Sequence, residues 1–429
     1  MCSSRHWPQK LTYVSAARIP SEKAHTHQIL QMCDAFSACG LDVELLHPRR
    51  DNTPAMDGIE NVWQHYGLQQ RFSLTEIPTV DLLLRTRLLL DGLPDAIRRP
   101  GLRLAFELLM ATYARSLPSY LGSSAGGAYY VRGFRVFHSM VSCRPELGSA
   151  TFFEAHDEFP QSPKVREARG KHLGKAAGII ATNQYIKDLY CSCGIRPDDV
   201  LVAPNGVDIR RIAGISLTKQ QARARLALPS DRYIIGYVGR LETLGKEKGL
   251  SDLISALTGI YRDHQSQDPV LCLVGGPAKR IRQYRELSQQ LGLNKDALFF
   301  TGQVPPKDVP AFLRAFDLCA MPFPWTEHYA YYMSPLKLFE YMASGRPIIA
   351  THLPSIRGIL RHKHTAYLVP PDDPDALAEG IRWLSAHPSL ARQMARRARA
   401  EVQEHTWERR AERILKFMGR ASQRPTRVR

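Results

Sequence analysis

Short apolar runs alternate with helix-like patterns along nearly the whole chain, and this alternation restricts the possible folds most strongly. Residues 11–16 predict a buried strand, 21–38 a helix and 41–46 a second strand, which together make a βαβ unit. Further apolar runs repeat the pattern between 233 and 369. Strands joined through helices pair in parallel. The sequence therefore predicts an α/β fold with doubly wound sheets.

The length of 429 residues is too great for one ordinary core and indicates two domains. We predict Rossmann-like domains over 1–205 and 206–405, separated by a Pro-Asn-Gly turn. A C-terminal helix and basic tail over 406–429 would cross back to the N-terminal domain. Ligands of such sheets bind beyond the strand carboxyl ends. The two domains would therefore face a central cleft.

Composition excludes several classes of protein. No run of eighteen apolar residues predicts a membrane span, and the first residues lack the apolar core of a signal peptide. Eight cysteines without C-x-x-C pairs indicate reduced thiols, as in the cytoplasm. No nucleic-acid-binding motif occurs, so we expect no nucleic-acid partner.

The net charge of +17 is partly local. Residues 409–429 hold eight Lys and Arg against one acid, which fits contact with an anionic surface or a solvated terminus. Residues 79–121 are Leu-rich with interleaved Arg. This segment predicts helices that either lie in a membrane interface or pack on the N-terminal sheet.

The segment 334–350 carries the most specific chemical signal. Ser334 predicts an N-cap and Pro335 the first helical position, while Gly345 predicts the helix end before a buried strand. Lys337 lies in the first turn, where the helix dipole disfavours a cation. An anion such as phosphate bound at the same place would explain it.

Glu340 lies one turn after Leu336 and three residues before Ala343, so its carboxylate is predicted to point toward the apolar face. A half-buried carboxylate suits hydrogen bonds from a polyol. The alternative is a solvated Lys337 and a Glu340 that only complements the helix dipole.

The motif Ser-Pro-x-Lys-x-Phe-Glu-Tyr-Met-Ala in this segment resembles the nucleotide-sugar signature of family 4 (group 1) glycosyltransferases, which are retaining enzymes of GT-B architecture. The resemblance covers nearly the whole chain and is strongest over 233–380. It implies that Glu340 binds the nucleotide ribose and that the helix start at 334–337 stabilises the diphosphate. The family usually has a second Glu, beside the donor sugar, where this chain has Tyr332.

Two cations follow strand and loop signals in the second half. Gly239-Arg240 ends a predicted strand, and Lys248-Gly249 follows the next loop. Such cations can clamp a diphosphate, although surface Arg and Lys are common. The pair resembles the family's G-R…K-G motif, which implies that Arg240 and Lys248 stabilise the leaving group. Lys246 is a competing candidate.

Two further segments resemble parts of the family's nucleotide site. Gly275 opens a Gly-Gly-Pro turn after a predicted strand and permits close backbone approach, or is a plain turn. Val304 follows Gly302-Gln303 in a segment that resembles the loop receiving the nucleotide base. Backbone readout would leave the base identity open.

The N-terminal half contains two polar segments at strand ends. Glu154-Ala-His156-Asp157 resembles the family's E-x-H-D, which implies that His156 lies beside the donor sugar; a structural His is the alternative. The first strand is followed by R-x-P-S-E-K-A-H, which resembles a sub-group of the family and suits contact with acceptor or phosphate, or ordinary helix-start chemistry. The acceptor-side candidates are Arg18, Ser21, Lys23 and His25.

The D-x-D pattern Asp373-Pro-Asp375 precedes a predicted helix, where acids favour the N-terminus. No other carboxylate cluster supplies ligands for a hard metal ion. We therefore expect a metal-independent reaction with no cofactor besides the nucleotide-sugar substrate.

Together, the patterns and the resemblance predict a retaining hexosyltransferase that moves a sugar from a nucleoside-diphosphate donor to a hydroxyl acceptor, in polysaccharide or glycolipid assembly. The N-terminal domain would bind a saccharide or lipid-linked acceptor. The expected location is cytoplasmic, with an anionic membrane surface as a further partner at the inner face of the membrane. The alternatives are a nucleotide-sugar epimerase of similar architecture and a non-catalytic nucleotide-binding scaffold.

Overall fold

The computed structural model describes residues 8–122, 127–156, 159–160, 162–243, 245–262 and 269–422. The chain forms two compact units. One is Met1–Pro204 with Trp407–Arg429, and the other is Asn205–Thr406. Asp157 and the last residues of the predicted basic tail, 423–429, lie outside the described residues.

The first unit is built on a parallel sheet. Among the described residues, seven strands pair in the order β3-β2-β1-β4-β5-β6-β7. These strands are β1 (Lys10–Ser15), β2 (Asp42–Pro48), β3 (Ser73–Ile77), β4 (Gly127–Arg132), β5 (Thr151–Ala155), β6 (Gly178–Ala181) and β7 (Val200–Val202). The helices are α1 (Ala24–Ala38), α2 (Val62–Tyr66), α3 (Leu83–Leu89), α4 (Asp95–Ser116), α5 (Phe134–Cys143), α6 (Pro163–Leu173) and α7 (Gln184–Ser192).

The second unit has the same plan. Within the described chain, six parallel strands pair in the order β12-β11-β8-β13-β14-β15, beside a two-stranded β9–β10 hairpin. The strands are β8 (Ile234–Val238), β9 (Glu242–Thr243), β10 (Lys246–Glu247), β11 (Val270–Val274), β12 (Leu298–Gly302), β13 (Leu318–Met321), β14 (Ile348–Thr351) and β15 (Tyr367–Val369). The helices are α8 (Ile209–Ala213), α9 (Lys219–Arg225), α10 (Leu250–Arg262), α11 (Ala278–Gln290), α12 (Val309–Ala315), α13 (Leu336–Ser344), α14 (Pro354–Arg357), α15 (Pro374–Ala386) and α16 (Pro388–Glu401).

The central strands of both sheets are apolar and fully buried, as β8 and β11 illustrate. Continuous apolar strands are expected where helices cover both faces of a parallel sheet. The predicted α/β fold with two doubly wound, Rossmann-like sheets is confirmed.

The last helix, α17 (Trp407–Ser422), belongs to the first unit. Its apolar stripe is buried at Ala411, Ile414, Leu415 and Met418, at the three- and four-residue spacing of one helix face. The helix packs against α1 and β6. A Cβ at Gly178 would lie 2.6 Å from the Phe417 ring, so the close approach of α17 to the sheet requires a glycine there.

Helix α1 begins at Ala24, three residues after the predicted start at Ser21. The Tyr66 hydroxyl binds both the backbone N–H and the carbonyl of Ser21. The Ser21 hydroxyl accepts a hydrogen bond from Arg18 at 3.4 Å. Since these bonds engage Ser21 outside a helix, the chain stays extended as far as Lys23.

The Leu-rich segment 79–121 forms α3 and α4. Helix α4 packs into the first unit through Ala105, Leu109 and Tyr113, and the Tyr113 hydroxyl donates to the Ser15 carbonyl at 3.1 Å. Many other apolar side chains of this segment are exposed. No described helix combines the length and the apolarity that a membrane crossing requires.

Candidate functional site

The carboxyl ends of β8 and β11 form the floor of the site in the second unit. Strand β8 lies between β11 and β13, where the strand order reverses, which is the usual ligand position of a doubly wound sheet. Gly239 and Gly275 follow these strands with φ of +127° and +144°. A Cβ at Gly275 would lie 2.1 Å from the Gly239 carbonyl oxygen. Only glycine therefore allows the two turns to approach this closely.

Lys337, in the first turn of α13, is buried at 8% exposure and directed at this floor. Its ammonium group donates to the Tyr237 hydroxyl and lies 5.4 Å from the centroid of the Phe323 ring. Burial, followed by the charge of Lys248, holds the pKa of Lys337 well below its usual range. The solvated alternative for Lys337 is wrong, because the side chain is enclosed by aromatic rings.

Lys248 approaches the same aromatic ring from the loop after β10. Its Nζ lies 5.9 Å from the Phe323 centroid, and burial with the nearby Arg240 lowers its pKa to about 8. Arg240 itself is exposed, and its carbonyl accepts the Tyr237 hydroxyl at 2.7 Å. Lys246, the competing candidate, is exposed on β10. The structure thus places Lys248 within electrostatic range of both Arg240 and Lys337.

The loop that carries Lys248 is fixed by contacts that the sequence did not reveal. One carboxylate oxygen of Glu247 accepts the N–H groups of Leu250 and Ser251 at 3.0 and 3.2 Å, and so caps α10. Arg280 of α11 binds the β9–β10 hairpin through the Gly245 carbonyl, at 2.9 Å. Gly249 has φ +74°, and a Cβ there would meet the Pro322 oxygen at 1.5 Å. This loop therefore has little freedom to move.

The start of α13 differs from the prediction. Pro335 is the N-cap and Leu336 the first helical residue, so the expected capping role of Ser334 is wrong. The Ser334 hydroxyl instead accepts the backbone N–H of Asn205 at 3.0 Å, and the Asn205 amide donates to the Ser334 carbonyl at 2.7 Å. This contact turns Ser334 away from the helix start. No side-chain capping bond occurs at this described N-terminus.

Glu340 is half-buried, as predicted. It pairs with Arg211 of α8 at 2.8 Å, and both side chains are largely buried. Arg211 also donates to the Pro306 carbonyl at 2.9 Å, in the turn that follows Val304. The partner Arg211 was missed, since nothing in its local sequence distinguishes it. Tyr332 is buried in a single π-helical turn ahead of α13.

A buried polar cluster surrounds Glu154 in the first unit. Its carboxylate is fully buried and accepts hydrogen bonds from Tyr13 at 2.8 Å, Gln28 at 3.0 Å and Arg410 at 2.6 Å. Burial alone would raise the pKa of Glu154, but the Arg410 guanidinium, with His156, holds it well below its usual range. The carboxylate is therefore ionised at neutral pH.

His156 lies beside this cluster, with its Nε2 3.2 Å from a Glu154 oxygen. Burial, followed by the charge of Arg132, lowers the pKa of His156 to about 4. The same two causes lower the pKa of His25 to about 3, and His156 contributes to that shift. Both imidazoles are neutral at physiological pH. The structure therefore brings the two polar segments of the first unit together.

The other acceptor-side candidates divide into two groups. Arg18 is buried and binds Glu22, the Thr53 hydroxyl at 3.3 Å and the Pro20 carbonyl at 3.3 Å. Its guanidinium thus holds the loop in place, together with Ser21. Lys23 is exposed at the end of the extended segment.

The D-x-D pattern has a structural explanation. Asp373 is the N-cap of α15, and its carboxylate accepts the Ala376 N–H at 2.9 Å. Asp375 lies in the first turn, where an acid complements the helix dipole. In the part of the chain that the structure describes, no group of three or more His, Cys, Asp or Glu side chains could hold a metal ion.

A chain of two Rossmann-like units, each built on a sheet of parallel strands with a site at the strand ends, has the GT-B fold. Solved structures share this fold. Sucrose-phosphate synthase from Thermosynechococcus elongatus is 21% identical, with a TM-score of 0.69, covering 95% of this chain and 97% of its own. Anabaena HepE, solved with UDP and glucose, is 16% identical, with a TM-score of 0.67, covering 95% and 98%.

Family models match both halves of the sequence. The model described as Glycosyltransferase Family 4 matches residues 26–211, and the model described as Glycosyl transferases group 1 matches residues 218–401. The chain therefore belongs to the family 4, group 1 glycosyltransferases. A D-inositol 3-phosphate glycosyltransferase of Corynebacterium urealyticum is 25% identical over 56% of this chain and 55% of its own length. The chain thus spans about half the length of the curated relatives it matches.

Proposed function

We propose that this protein is a retaining glycosyltransferase that moves a sugar from a nucleoside-diphosphate donor to a hydroxyl group of a saccharide or lipid-linked acceptor. One observation carries the proposal: Arg240, Lys248 and the buried Lys337 converge beyond the carboxyl ends of β8 and β11. Burying several cations close together is unfavourable, because they lose hydration and repel one another, unless an anion binds between them. A diphosphate supplies that anion.

The reaction breaks the bond between the anomeric carbon and the phosphate oxygen, and negative charge grows on the leaving diphosphate. Arg240 and Lys248 stabilise that charge, and the uncapped start of α13 adds its backbone N–H groups. The leaving phosphate takes the proton of the acceptor hydroxyl on the same face, which gives retention. Gly239 and Gly275 let the phosphates approach the backbone.

Glu340 binds the ribose hydroxyls in this proposal. Arg211 holds the carboxylate in place through their 2.8 Å ion pair in a largely buried position. Val304 lies in the loop that receives the base through backbone groups. His156 contacts the donor sugar as a neutral hydrogen-bonding group, in keeping with its pKa of about 4.

The proposed reaction needs no metal ion, since cationic side chains take the place that a divalent cation has in other phosphate sites. Activity is then retained in excess EDTA. Loss of activity in EDTA that Mn²⁺ or Mg²⁺ restores would contradict this part of the proposal.

The proposed setting is the assembly of a polysaccharide or glycolipid at the cytoplasmic face of a membrane. Buried free thiols at Cys33, Cys272 and Cys319 fit a reducing compartment. HepE was solved with UDP and glucose, which supports a nucleotide-sugar donor here.

The first test is thermal stabilisation by UDP, GDP and ADP and by their sugars, because a ligand that binds only the folded state raises the melting temperature. At least one nucleoside diphosphate is expected to stabilise the protein, and Lys248→Ala to abolish the effect, with Lys246→Ala as the matched control. Stabilisation by none would overturn the proposal.

The second test separates the remaining reactions. NMR of the first product is expected to show the donor's anomeric configuration. An inverted centre would remove the retaining assignment. Conversion of the donor sugar without any acceptor would identify an epimerase. Nucleotide binding without turnover on any acceptor would identify a scaffold.

A further inference from the structure

Exposed apolar side chains are concentrated in one segment of the first unit. Among the described residues, thirteen large apolar side chains are exposed, and ten of them lie between positions 80 and 120. Single exposed apolar residues are ordinary, but a contiguous group marks a surface that binds something. The ten are Val80, Leu82, Leu88, Leu89, Leu93, Ile97, Leu104, Phe106, Leu108 and Tyr120.

Helix α4 has two apolar faces, and its own chain covers only one of them. Ala105, Leu109 and Tyr113 recur every four residues and are buried. Ile97, Leu104 and Leu108 recur at seven- and four-residue spacing on another face and are exposed, Leu104 at 73%. A helix that is apolar on both sides is expected to be covered on both. The second face therefore lacks the cover that its composition calls for.

Helix α3 precedes α4 in the same segment and packs on it. No residue of this fully described helix is buried, although it contains four leucines. Leu88 and Leu89, at its end, are 66% and 80% exposed. Together, α3 and α4 form a hairpin, residues 83–116, whose apolar tip and side face outward.

Charge indicates what covers this hairpin. Arg85, Arg87 and Arg103 are exposed on it, in the same segment as the exposed leucines. Two of its three acids are held in ion pairs, since Asp95 binds Arg99 at 2.7 Å and Glu107 binds Arg135 at 2.6 and 2.8 Å. The hairpin therefore presents apolar surface bordered by positive charge.

We propose that the α3–α4 hairpin docks this protein on an anionic lipid bilayer. The leucines enter the boundary between headgroups and acyl chains, and the arginines bind lipid phosphates, for which the guanidinium fork is well suited. A second copy of the chain fits less well, because a twofold contact would place the same arginines against each other. The inference rests on the proposed function only for its setting, a lipid-linked acceptor.

The expected contributions are large enough to measure. Each exposed leucine that leaves water strengthens binding by about tenfold or more. Each arginine near an anionic surface contributes about fivefold at low salt, and the effect falls as salt rises. Binding by apolar insertion alone would not depend on lipid charge. Separate leucine and arginine variants therefore distinguish the apolar contribution from the electrostatic one.

The experiment is co-sedimentation of the full chain with phosphatidylcholine vesicles that contain or lack phosphatidylglycerol. Strong binding is expected only with phosphatidylglycerol and low salt. Leu88→Gln/Leu89→Gln is expected to weaken it by about tenfold or more for each leucine, and Arg85→Gln/Arg87→Gln by about fivefold for each arginine. These side chains are exposed, so the substitutions leave the fold intact. The matched controls are Val165→Gln/Leu390→Gln and Arg392→Gln/Arg396→Gln, which are exposed elsewhere.

Three results would overturn the inference. The first is equal recovery in the supernatant with and without anionic lipid. The second is an equal loss of binding in the control variants. The third is a concentration-dependent dimer in ultracentrifugation that Leu88→Gln/Leu89→Gln abolishes, without vesicle binding, which would assign the face to a second copy.

Stabilisation by nucleoside diphosphates is measured on the same proteins without vesicles. It is expected to be unchanged in the hairpin variants. Failure of vesicle binding with normal nucleotide stabilisation overturns the docking inference alone, whereas failure of nucleotide stabilisation overturns the proposed function.

Discussion

Replacing Arg410 by Met tests the buried ion pair that joins α17 to the end of β5. Both side chains of the Arg410–Glu154 pair are fully buried, at 2.6 Å. Removal of the guanidinium leaves a buried carboxylate without its closest cation, while Tyr13 and Gln28 still donate to it. Loss of one partner of a buried ion pair costs about 3–5 kcal/mol. For a unit of this size, that lowers the melting temperature by about 6–20 °C. Arg409→Met is the matched control, because Arg409 pairs with Glu412 on the exposed surface, where ion pairs contribute little.

The pH dependence follows from the pKa of Glu154. In the native protein, burial alone would raise the pKa of Glu154, but the charge of Arg410 lowers it by more. The folded pKa therefore lies below the unfolded value. The pair therefore contributes its full stability above the unfolded pKa of about 4.3 and loses it as pH falls through the folded value. Without Arg410, burial favours the neutral acid. Arg410→Met is then expected to recover stability relative to the native protein as pH falls from about 8 to about 5.

Differential scanning calorimetry across this pH range, with Glu154→Gln/Arg410→Met as a second variant, is the assay. The double variant removes both charges of the pair, and the new amide keeps one acceptor oxygen for Tyr13 or Gln28, so it is expected to be more stable than Arg410→Met alone. An unchanged melting temperature for Arg410→Met would refute the reasoning. So would a double variant that is no more stable than the single one.

Other predictions concern the second unit. Lys248→Met is expected to lower turnover by on the order of a hundredfold, whereas Lys246→Met is expected to keep near-normal turnover. In the native protein, nucleoside-diphosphate affinity is expected to fall as pH rises through about 8, where Lys248 loses its charge. An affinity that does not change across this pH range would remove Lys248 from the site. Glu340→Gln is expected to weaken nucleoside-diphosphate binding in calorimetry by about 1–3 kcal/mol; unchanged affinity would limit Glu340 to its contact with Arg211. Gly249→Ala is expected to lower both melting temperature and turnover, because its φ is +74° and a Cβ would meet the Pro322 oxygen at 1.5 Å; a melting curve identical to the native one would contradict this strain.

Features that depend on neighbours along the chain could be predicted from sequence. The alternation of apolar runs and helical patterns indicated the parallel sheets, since each pattern follows the period of its own element. Gly345 ends α13 in the left-handed conformation, as its position predicted. The acids at 373 and 375 lie at the start of α15, as predicted, and Asp373 is its N-cap. A cap is set within one helical turn, so the local sequence is sufficient.

Features that depend on distant partners needed the tertiary structure. Glu154 meets Arg410 from 256 positions away, and Glu340 meets Arg211 from 129 positions away. The local sequence predicts Ser334 as an N-cap, but its hydroxyl accepts a hydrogen bond from the backbone N–H of Asn205, also 129 positions away. The local pattern specifies which side of a helix or strand is apolar, whereas packing decides which polar groups meet there and which charges lose their water. The nucleotide-sugar motif could therefore be identified from the sequence. Only the tertiary structure shows the burial of Lys337, the pairing of Glu340 and the uncovered face of the α3–α4 hairpin.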